Sequence, residues 1–173
     1  MLKGTKVALP DMLACREARV QLQDMYRDTY HTPIISFCLN IPGPVKTTPE
    51  LRLVFDDGLA VIRQRLAAHS INVAARTERH DPTGDEALLA AEGDAASIKE
   101  QMTQLEETHP LGRLFDIDVL TADGEKLSRG TPRRCLLCGE QAQACARSRR
   151  HSVEELTARI GDMVQEFLQK KKL

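Results

Sequence analysis

The sequence predicts an α+β fold, because apolar runs typical of strands alternate with amphipathic stretches typical of helices. In the middle of the chain the predicted order is strand, helix, strand, strand, helix, strand. That order is the one found in a ferredoxin-like split βαβ core. A predicted helix precedes this core and a helical extension follows it. Because 42% of the residues are hydrophobic and no low-complexity linker interrupts the chain, residues 1–173 are predicted to form a single domain.

The predicted helices begin at side chains that can cap backbone N–H groups, namely Asp11, Thr48, Asp94 and Ser152. Ser152 and Glu155 together read as a capping box. The helices that follow are predicted at 11–29, from Pro49 to Leu66, from Asp94 to a point before Pro110, at 140–147, and from Ser152 to Leu168.

The predicted strands are apolar runs that end at turn residues, at 34–39, 71–79, 87–91 and from Leu114 to Leu120. The first strand stops at Pro42-Gly43-Pro44, the sequence DPTGD predicts a turn between the second and third, and ADGE predicts a hairpin turn after the fourth.

Two carboxylates lie on one face of the last predicted strand. Strand side chains alternate between faces, so Asp116 and Asp118 point the same way while Phe115, Ile117 and Val119 point the other way. Like charges this close repel, and a bound cation or a basic partner would relieve the repulsion. The alternative is a face that is simply solvated.

Charge and composition exclude several classes of protein. A net charge of −1 argues against a general nucleic-acid-binding surface. No apolar run approaches the ~20 residues that a membrane span needs. Five cysteines without a visible secretory signal predict a reduced, cytoplasmic protein. Between Lys126 and His151, however, seven Lys and Arg residues face one acid, Glu140, which indicates a basic segment.

Three further motifs carry candidate site residues. In NIPGPVK, Asn40 and Gly43 shape a turn and Lys46 offers a point charge to a phosphate. In CREAR, Arg16 and Arg19 are three apart and share a helix face. In THPLGR, His109 is a candidate general base. The alternatives are a structural turn, a solvated helix face and a loop histidine without a chemical role.

The basic segment also contains Cys135, Cys138, Cys145 and His151, which are residue types that bind zinc. The spacing from Cys138 to Cys145 and His151 is tight for an ordinary zinc ribbon or knuckle. The alternative is that these cysteines are core or surface thiols that bind no metal. A carboxylate pair together with an arginine-rich segment is what a magnesium-dependent enzyme acting on a polyphosphate needs.

The motifs REAR, NIPGPVK, HPLGRLFDIDV and RRCLLC with its following Cys, Arg and His-Ser occur in this order. Together they resemble the citrate lyase holo-acyl-carrier-protein synthase family, the apo-citrate lyase phosphoribosyl-dephospho-CoA transferases. The resemblance runs from about residue 10 to about residue 165.

The resemblance implies transfer from 2'-(5''-triphosphoribosyl)-3'-dephospho-CoA to a serine of the acyl carrier subunit of citrate lyase, with release of pyrophosphate. Asp116 and Asp118 would then hold Mg²⁺, with Arg113 and His109 as further catalytic residues. The expected donor-binding residues are Arg16, Arg19, Asn40, Gly43, Lys46, Arg133, Arg134 and Arg147. The alternatives are a zinc-stabilised carrier-binding module without catalysis and a nucleotidyltransferase that uses another donor, such as ATP.

Overall fold

The computed structural model describes residues 3–171, which contain helices on both faces of a four-stranded sheet. The elements are α1 (Leu9–Tyr30), β1 (Ile34–Leu39), α2 (Pro49–Ala68), β2 (Asn72–Asp81), β3 (Gly84–Glu92), α3 (Ala95–Thr108), β4 (Phe115–Leu120), α4 (Ala142–Ser148) and α5 (Val153–Lys171). The strand order is β2-β3-β1-β4, and all neighbouring strands are antiparallel. These elements confirm the α+β class. Residues 1, 2, 172 and 173, which the single-domain prediction includes, lie outside the described residues.

The two sheet faces are covered differently, and this difference positions the candidate site. One face carries the main core, in which Phe37, Leu89 and Ile117 pack with apolar side chains of α2, α3 and α5. The other face packs Ile34 and Leu88 against Tyr26 of α1. Side chains along β4 alternate between the two faces of the sheet. Asp116 and Asp118 therefore lie on the α1 face, while their neighbours Phe115, Ile117 and Val119 are buried in the core.

Three of the four predicted caps are confirmed. The Thr48 hydroxyl accepts from Leu51 N at 3.2 Å, and the Asp94 carboxylate accepts from Ser97 N at 2.8 Å. Ser152 and Glu155 form the reciprocal bonds of a capping box. The predicted start at Asp11 is wrong: α1 begins at Leu9, because proline is tolerated in the first helical turn and Pro10 occupies it.

The strands β2 and β3 are longer than predicted and meet in a tighter turn, with Gly84 at φ +122°. The prediction stopped short because Asp85 and Glu86 are acids, yet both are buried in β3 and both pair with arginines. After β4, a turn with Gly124 at φ +89° returns the chain, and the predicted hairpin is reduced to one bridge, between Leu120 and Lys126. No helix within residues 3–171 has the length and apolar character for crossing a membrane.

Two mid-helix glycines provide a matched test of the packing between α2 and the sheet. A Cβ at Gly58 would lie 2.6 Å from Phe37 Cζ and 3.0 Å from Phe115 Cζ, whereas one at Gly161 of α5 would meet nothing within 4 Å. We expect Gly58→Ala to lower the free energy of unfolding by about 1–3 kcal/mol through overpacking. We expect Gly161→Ala to raise it by about 0.5–1 kcal/mol. Urea unfolding of both variants checks this, and a neutral or stabilising Gly58→Ala would contradict the described packing.

Candidate active site

A small cavity of about 120 Å³ lies between α1 and the end of β1, and we call it the polar cleft. Its lining side chains come from α1, β1, β3, β4 and the NIPGPVK loop, and include Arg16, Arg19, Cys38, Asn40, Lys46, Glu86 and Asp116. The three motifs REAR, NIPGPVK and DIDV therefore meet here. Of the residues predicted from sequence, five line this cleft: Arg16, Arg19, Asn40, Lys46 and Asp116.

The strand register places the floor of the polar cleft. Cys38 on the central strand β1 pairs with Glu86 of β3 on one side and with Asp116 of β4 on the other. Above this row, α1 contributes Cys15, whose thiol donates to Glu86 at 3.1 Å, and Arg19, whose Nε donates to the same carboxylate at 3.0 Å. Glu86 thus holds α1 and the Arg19 guanidinium over the sheet.

Charges around the polar cleft are tuned by burial and by their neighbours. Burial alone would lower the pKa of Arg19, but the hydrogen bonds that Arg19 donates to the Glu86 carboxylate raise it above its usual value. Burial raises the pKa of the Cys38 thiol to about 12, so this thiol is neutral near pH 7. Burial, and then the positive charge of Arg16, lower the pKa of Lys46, whose Nζ donates to Ile41 O at 2.7 Å.

Asp116 and Asp118 each have a basic partner from the same chain. Arg133 Nη2 lies 3.4 Å from Asp116 Oδ1, and Lys126 Nζ lies 2.6 Å from Asp118 Oδ2. The side chains of the two aspartates remain 41% and 26% exposed, respectively. The repulsion expected from the sequence is relieved in this way, while both carboxylates stay accessible to a ligand.

A larger cavity of about 680 Å³, which we call the basic cavity, is lined in part by Arg133, the partner of Asp116. It is lined chiefly by Glu106, Glu107, His109, Arg113, Arg129, Arg133 and Arg134. The predicted residues Arg113, Arg133 and Arg134 are brought together here. Burial and the charges of Arg133 and Arg129 lower the pKa of Arg113, and its guanidinium donates to Arg134 O. Such a cluster of guanidinium groups suits a polyanionic ligand.

Glu106 organises the basic cavity, and the sequence interpretation missed it. Its side chain is 2% exposed and accepts from Arg133, from Arg129 Nη1 at 3.2 Å and from Ile117 N at 3.0 Å. Burial raises the pKa of Glu106, although Arg133, the Ile117 N–H and Arg129 act against the increase. A signal existed, because Glu106 lies four residues after the core residue Met102 and so shares the apolar face of α3.

The two cavities adjoin through one ion pair. Arg133 lines the basic cavity and contacts Asp116, which lines the polar cleft. Asn40 makes a second connection, since its backbone N–H donates to Leu114 O at 2.8 Å beside Arg113. Residues that line the two cavities are therefore in direct contact at Asp116.

Three predicted site residues are not free to contact a ligand in the way the sequence analysis expects. Gly43 and Arg147 line neither cavity, and His109 is already hydrogen-bonded. Gly43 has φ +81° and faces the first turn of α5, where a Cβ would lie 2.8 Å from Val153. Arg147 is exposed in the last turn of α4, and no hydrogen bond or ion pair within residues 3–171 connects it to Asp116. His109 lines the basic cavity, but its Nε2 lies 3.1 Å from Asp57 Oδ2 and its Nδ1 accepts from Leu111 N at 3.1 Å.

The environment of His109 gives a pH prediction. Burial lowers its pKa below the ordinary 6.5, with Asp57 acting in the opposite direction. Below pH 6.5 the unfolded chain therefore binds a proton at this position that the folded chain does not. As the pH is lowered through this range, the free energy of unfolding decreases. We expect the stability advantage of wild type over His109→Gln to shrink between pH 7.5 and 5.5. Urea unfolding across this range checks it, and an unchanged difference would contradict the assigned burial.

A separate group of potential ligands lies beside Asn40 and Arg113. The ligand atoms of Cys135, Cys138, Cys145 and His151 all lie within 4.8 Å of one another. They are the only group of three or more His, Cys, Asp or Glu ligands gathered in this way within residues 3–171. Asp116 and Asp118 form no such group by themselves, so a metal ion there would take its remaining ligands from substrate or water.

Comparison with known proteins shows the family to which the chain belongs. The profile of the apo-citrate lyase phosphoribosyl-dephospho-CoA transferase family matches residues 7–167. A probable apo-citrate lyase phosphoribosyl-dephospho-CoA transferase of Vibrio cholerae serotype O1 (strain M66-2) is 38% identical over 166 residues, covering 93% of each chain. The transferase of that name from Shigella boydii serotype 18 (strain CDC 3083-94 / BS512) is 35% identical over 158 residues, covering 89% of this chain and 86% of the relative. The chain therefore belongs to the apo-citrate lyase phosphoribosyl-dephospho-CoA transferase family.

Proposed function

We propose that the polar cleft and the basic cavity together bind triphosphoribosyl-dephospho-CoA and present it to a serine of the citrate lyase acyl carrier subunit. Family membership makes the chain an enzyme that transfers the phosphoribosyl-dephospho-CoA prosthetic group to apo-citrate lyase. The observation that supports this use of the site is the contact between Arg133 and Asp116, which joins the two cavities.

The charges of the two cavities suggest which part of the donor each one holds. Arg113, Arg133 and Arg134 surround the basic cavity, and guanidinium groups bind phosphate oxygens in a bidentate manner. We assign the triphosphate to this side. Lys46, Asn40 and Arg16 line the polar cleft, where they would hold another part of the donor. Arg19 donates from both Nε and Nη2 to Glu86, whereas the contacts of Arg133 with Glu106 and Asp116 come from Nη2 alone, so we assign Arg19 the role of shaping the cleft.

In the proposed reaction the serine oxygen of the carrier attacks the α-phosphorus of the donor. A new bond forms between the serine oxygen and that phosphorus, and the bond from the phosphorus to the oxygen that it shares with the β-phosphorus breaks. Pyrophosphate leaves with that oxygen, and the serine proton leaves to solvent. Negative charge accumulates on the departing pyrophosphate, and preorganised guanidinium groups stabilise charge of this kind. We assign His109 a positioning role, because both of its ring nitrogens already have hydrogen-bonding partners.

The partly exposed carboxylates of Asp116 and Asp118 fit a magnesium ion. Mg²⁺ prefers oxygen ligands and is commonly bound by one or two carboxylates together with substrate phosphates and water. Arg133 and Lys126 offset the two carboxylates in the described structure, and each can move to a phosphate. When bound, the ion would neutralise charge on the phosphate oxygens.

We also propose a ferredoxin-like arrangement of the core, a cytoplasmic location and a dephospho-CoA donor, each of which has support. The order β1-α2-β2-β3-α3-β4 with the sheet order β2-β3-β1-β4 supports the ferredoxin-like arrangement. Five free cysteines support a reducing, cytoplasmic location. Family membership decides against the non-catalytic carrier-binding module, and the names of the relatives favour a dephospho-CoA donor over ATP.

Mass spectrometry of the apo acyl carrier subunit tests the proposed function. The subunit is incubated with enzyme, Mg²⁺ and either triphosphoribosyl-dephospho-CoA or ATP. We expect a mass increase equal to phosphoribosyl-dephospho-CoA with the first donor only, located on a serine by fragmentation. An unmodified subunit, or modification from ATP, would contradict the proposal.

A further inference from the structure

We propose that Cys135, Cys138, Cys145 and His151 form a structural zinc site that fixes the basic segment carrying Arg133 and Arg134. The three sulfur atoms and the imidazole nitrogen lie within 4.8 Å of one another. In a tetrahedral zinc site with Zn–S bonds of about 2.3 Å, ligand atoms are roughly 3.8 Å apart. The observed spread therefore needs only a small contraction around an ion.

The backbone between Cys135 and Cys138 is already folded as a ligand-bearing turn. Gly139 N donates to Cys135 O at 3.2 Å, and Gly139 adopts φ +73°, a conformation that favours glycine. The turn is closed by a second backbone hydrogen bond, in which Cys135 N donates to Glu140 O at 2.6 Å.

The short spacing between Cys145 and His151 is explained by a turn that the sequence does not reveal. Helix α4 ends at Ser148, and Arg149 adopts the left-handed φ of +49°. This reverses the chain, so that Arg150 N donates to Cys145 O at 3.1 Å and His151 returns towards the thiols. A non-glycine residue in this conformation is uncommon and is retained where the surroundings impose it.

A buried imidazole atom points to an ion as the missing partner. His151 Nε2 is buried, and no hydrogen-bond partner is found for it among residues 3–171. Buried polar atoms are nearly always partnered. Three cysteines and one histidine complete a four-coordinate shell without an open position, which is the arrangement of structural rather than catalytic zinc. Thiolate ligands also favour zinc over magnesium.

The consequence of this site is local rigidity in a segment with little regular structure. Between the end of β4 and the start of α5, helix is limited to the seven residues of α4, with single bridges at Lys126 and Arg134. The turn at Cys135 is adjacent to Arg133 and Arg134, and Arg134 O accepts from Arg113. Zinc removal should therefore loosen the wall of the basic cavity.

Metal analysis of the full-length, tag-free protein, purified under reducing conditions, tests the proposal without relying on transfer activity. We expect one equivalent of zinc in wild type and in the control Cys15→Ser, because Cys15 lies on α1 and contacts Glu86 instead. We expect loss of the zinc in Cys138→Ser and in His151→Ala. Chelation should lower the Tm of wild type and of Cys15→Ser, but not that of the two zinc-free variants. Replacement by Co²⁺ should give thiolate-to-cobalt absorption.

Three results would overturn the zinc assignment. One is a folded wild-type protein that neither contains zinc nor gains thermal stability when zinc is added. Another is stoichiometric iron in place of zinc. The third is a disulfide between Cys138 and Cys145, whose sulfur atoms lie 3.4 Å apart, detected in the intact mass of protein purified with reductant. A wild-type protein that contains zinc but does not modify the apo acyl carrier subunit would contradict the proposed function. The zinc assignment would then still hold.

Discussion

Replacing Asp116 or Asp118 by asparagine is expected to lower the rate of prosthetic-group transfer by at least ~100-fold, the scale on which loss of one preorganised electrostatic group reduces catalysis. Asparagine keeps the shape of the side chain but loses the charge that would hold Mg²⁺. Both side chains are partly exposed, so the ion pairs with Arg133 and Lys126 contribute at most about 1 kcal/mol each to stability. The free energy of unfolding should therefore remain near that of wild type.

The control for this experiment is Asp123→Asn, because Asp123 is an exposed carboxylate in the turn after β4. Single-turnover transfer to the apo carrier subunit and urea unfolding are measured for all three variants. Near-normal transfer by both Asp116→Asn and Asp118→Asn, at saturating Mg²⁺, would rule out the metal-binding assignment.

Replacing Arg133 by alanine is expected to weaken donor binding by about 10–100-fold, since a hydrogen bond to a charged group contributes about 1.5–3 kcal/mol. Arg133 contacts both Asp116 and the buried Glu106, so it connects the two cavities. Glu106 keeps Arg129 as a partner in the variant, which limits the loss of stability. Titration calorimetry with triphosphoribosyl-dephospho-CoA measures the Kd.

An exposed arginine on α2 provides the matched control for Arg133. Arg63→Ala removes the same charge from a helix surface outside both cavities and should leave the Kd unchanged. Increasing salt should weaken donor binding to wild type more than to Arg133→Ala. Equal affinity of the two arginine variants, with no salt dependence, would show that the basic cavity does not bind the donor.

The order of the central elements was predictable because its signals are local. Thr48 and Asp94 cap the helices that follow them, and the alternating pattern around Asp116 places that side chain opposite the core. Local signals of this kind depend on neighbouring residues, which the sequence shows directly.

The partners of the site residues were not predictable, because they depend on contacts between distant parts of the chain. Arg19 meets Glu86 across 67 positions, and Arg133 meets Glu106 across 27. The buried acids therefore looked like surface charges until their arginine partners were placed. The turn at Arg149 was hidden for another reason, since a left-handed arginine has no sequence signal.

The Kd of triphosphoribosyl-dephospho-CoA for wild type, Lys46→Met, Arg133→Ala and the double variant tests most directly whether one donor occupies both cavities. Lys46 lines the polar cleft and Arg133 lines the basic cavity. If one donor contacts both, each single change weakens binding, and the two losses of binding free energy add in the double variant. A wild-type Kd for either single variant would contradict the account, because the donor would then contact only one of the two cavities.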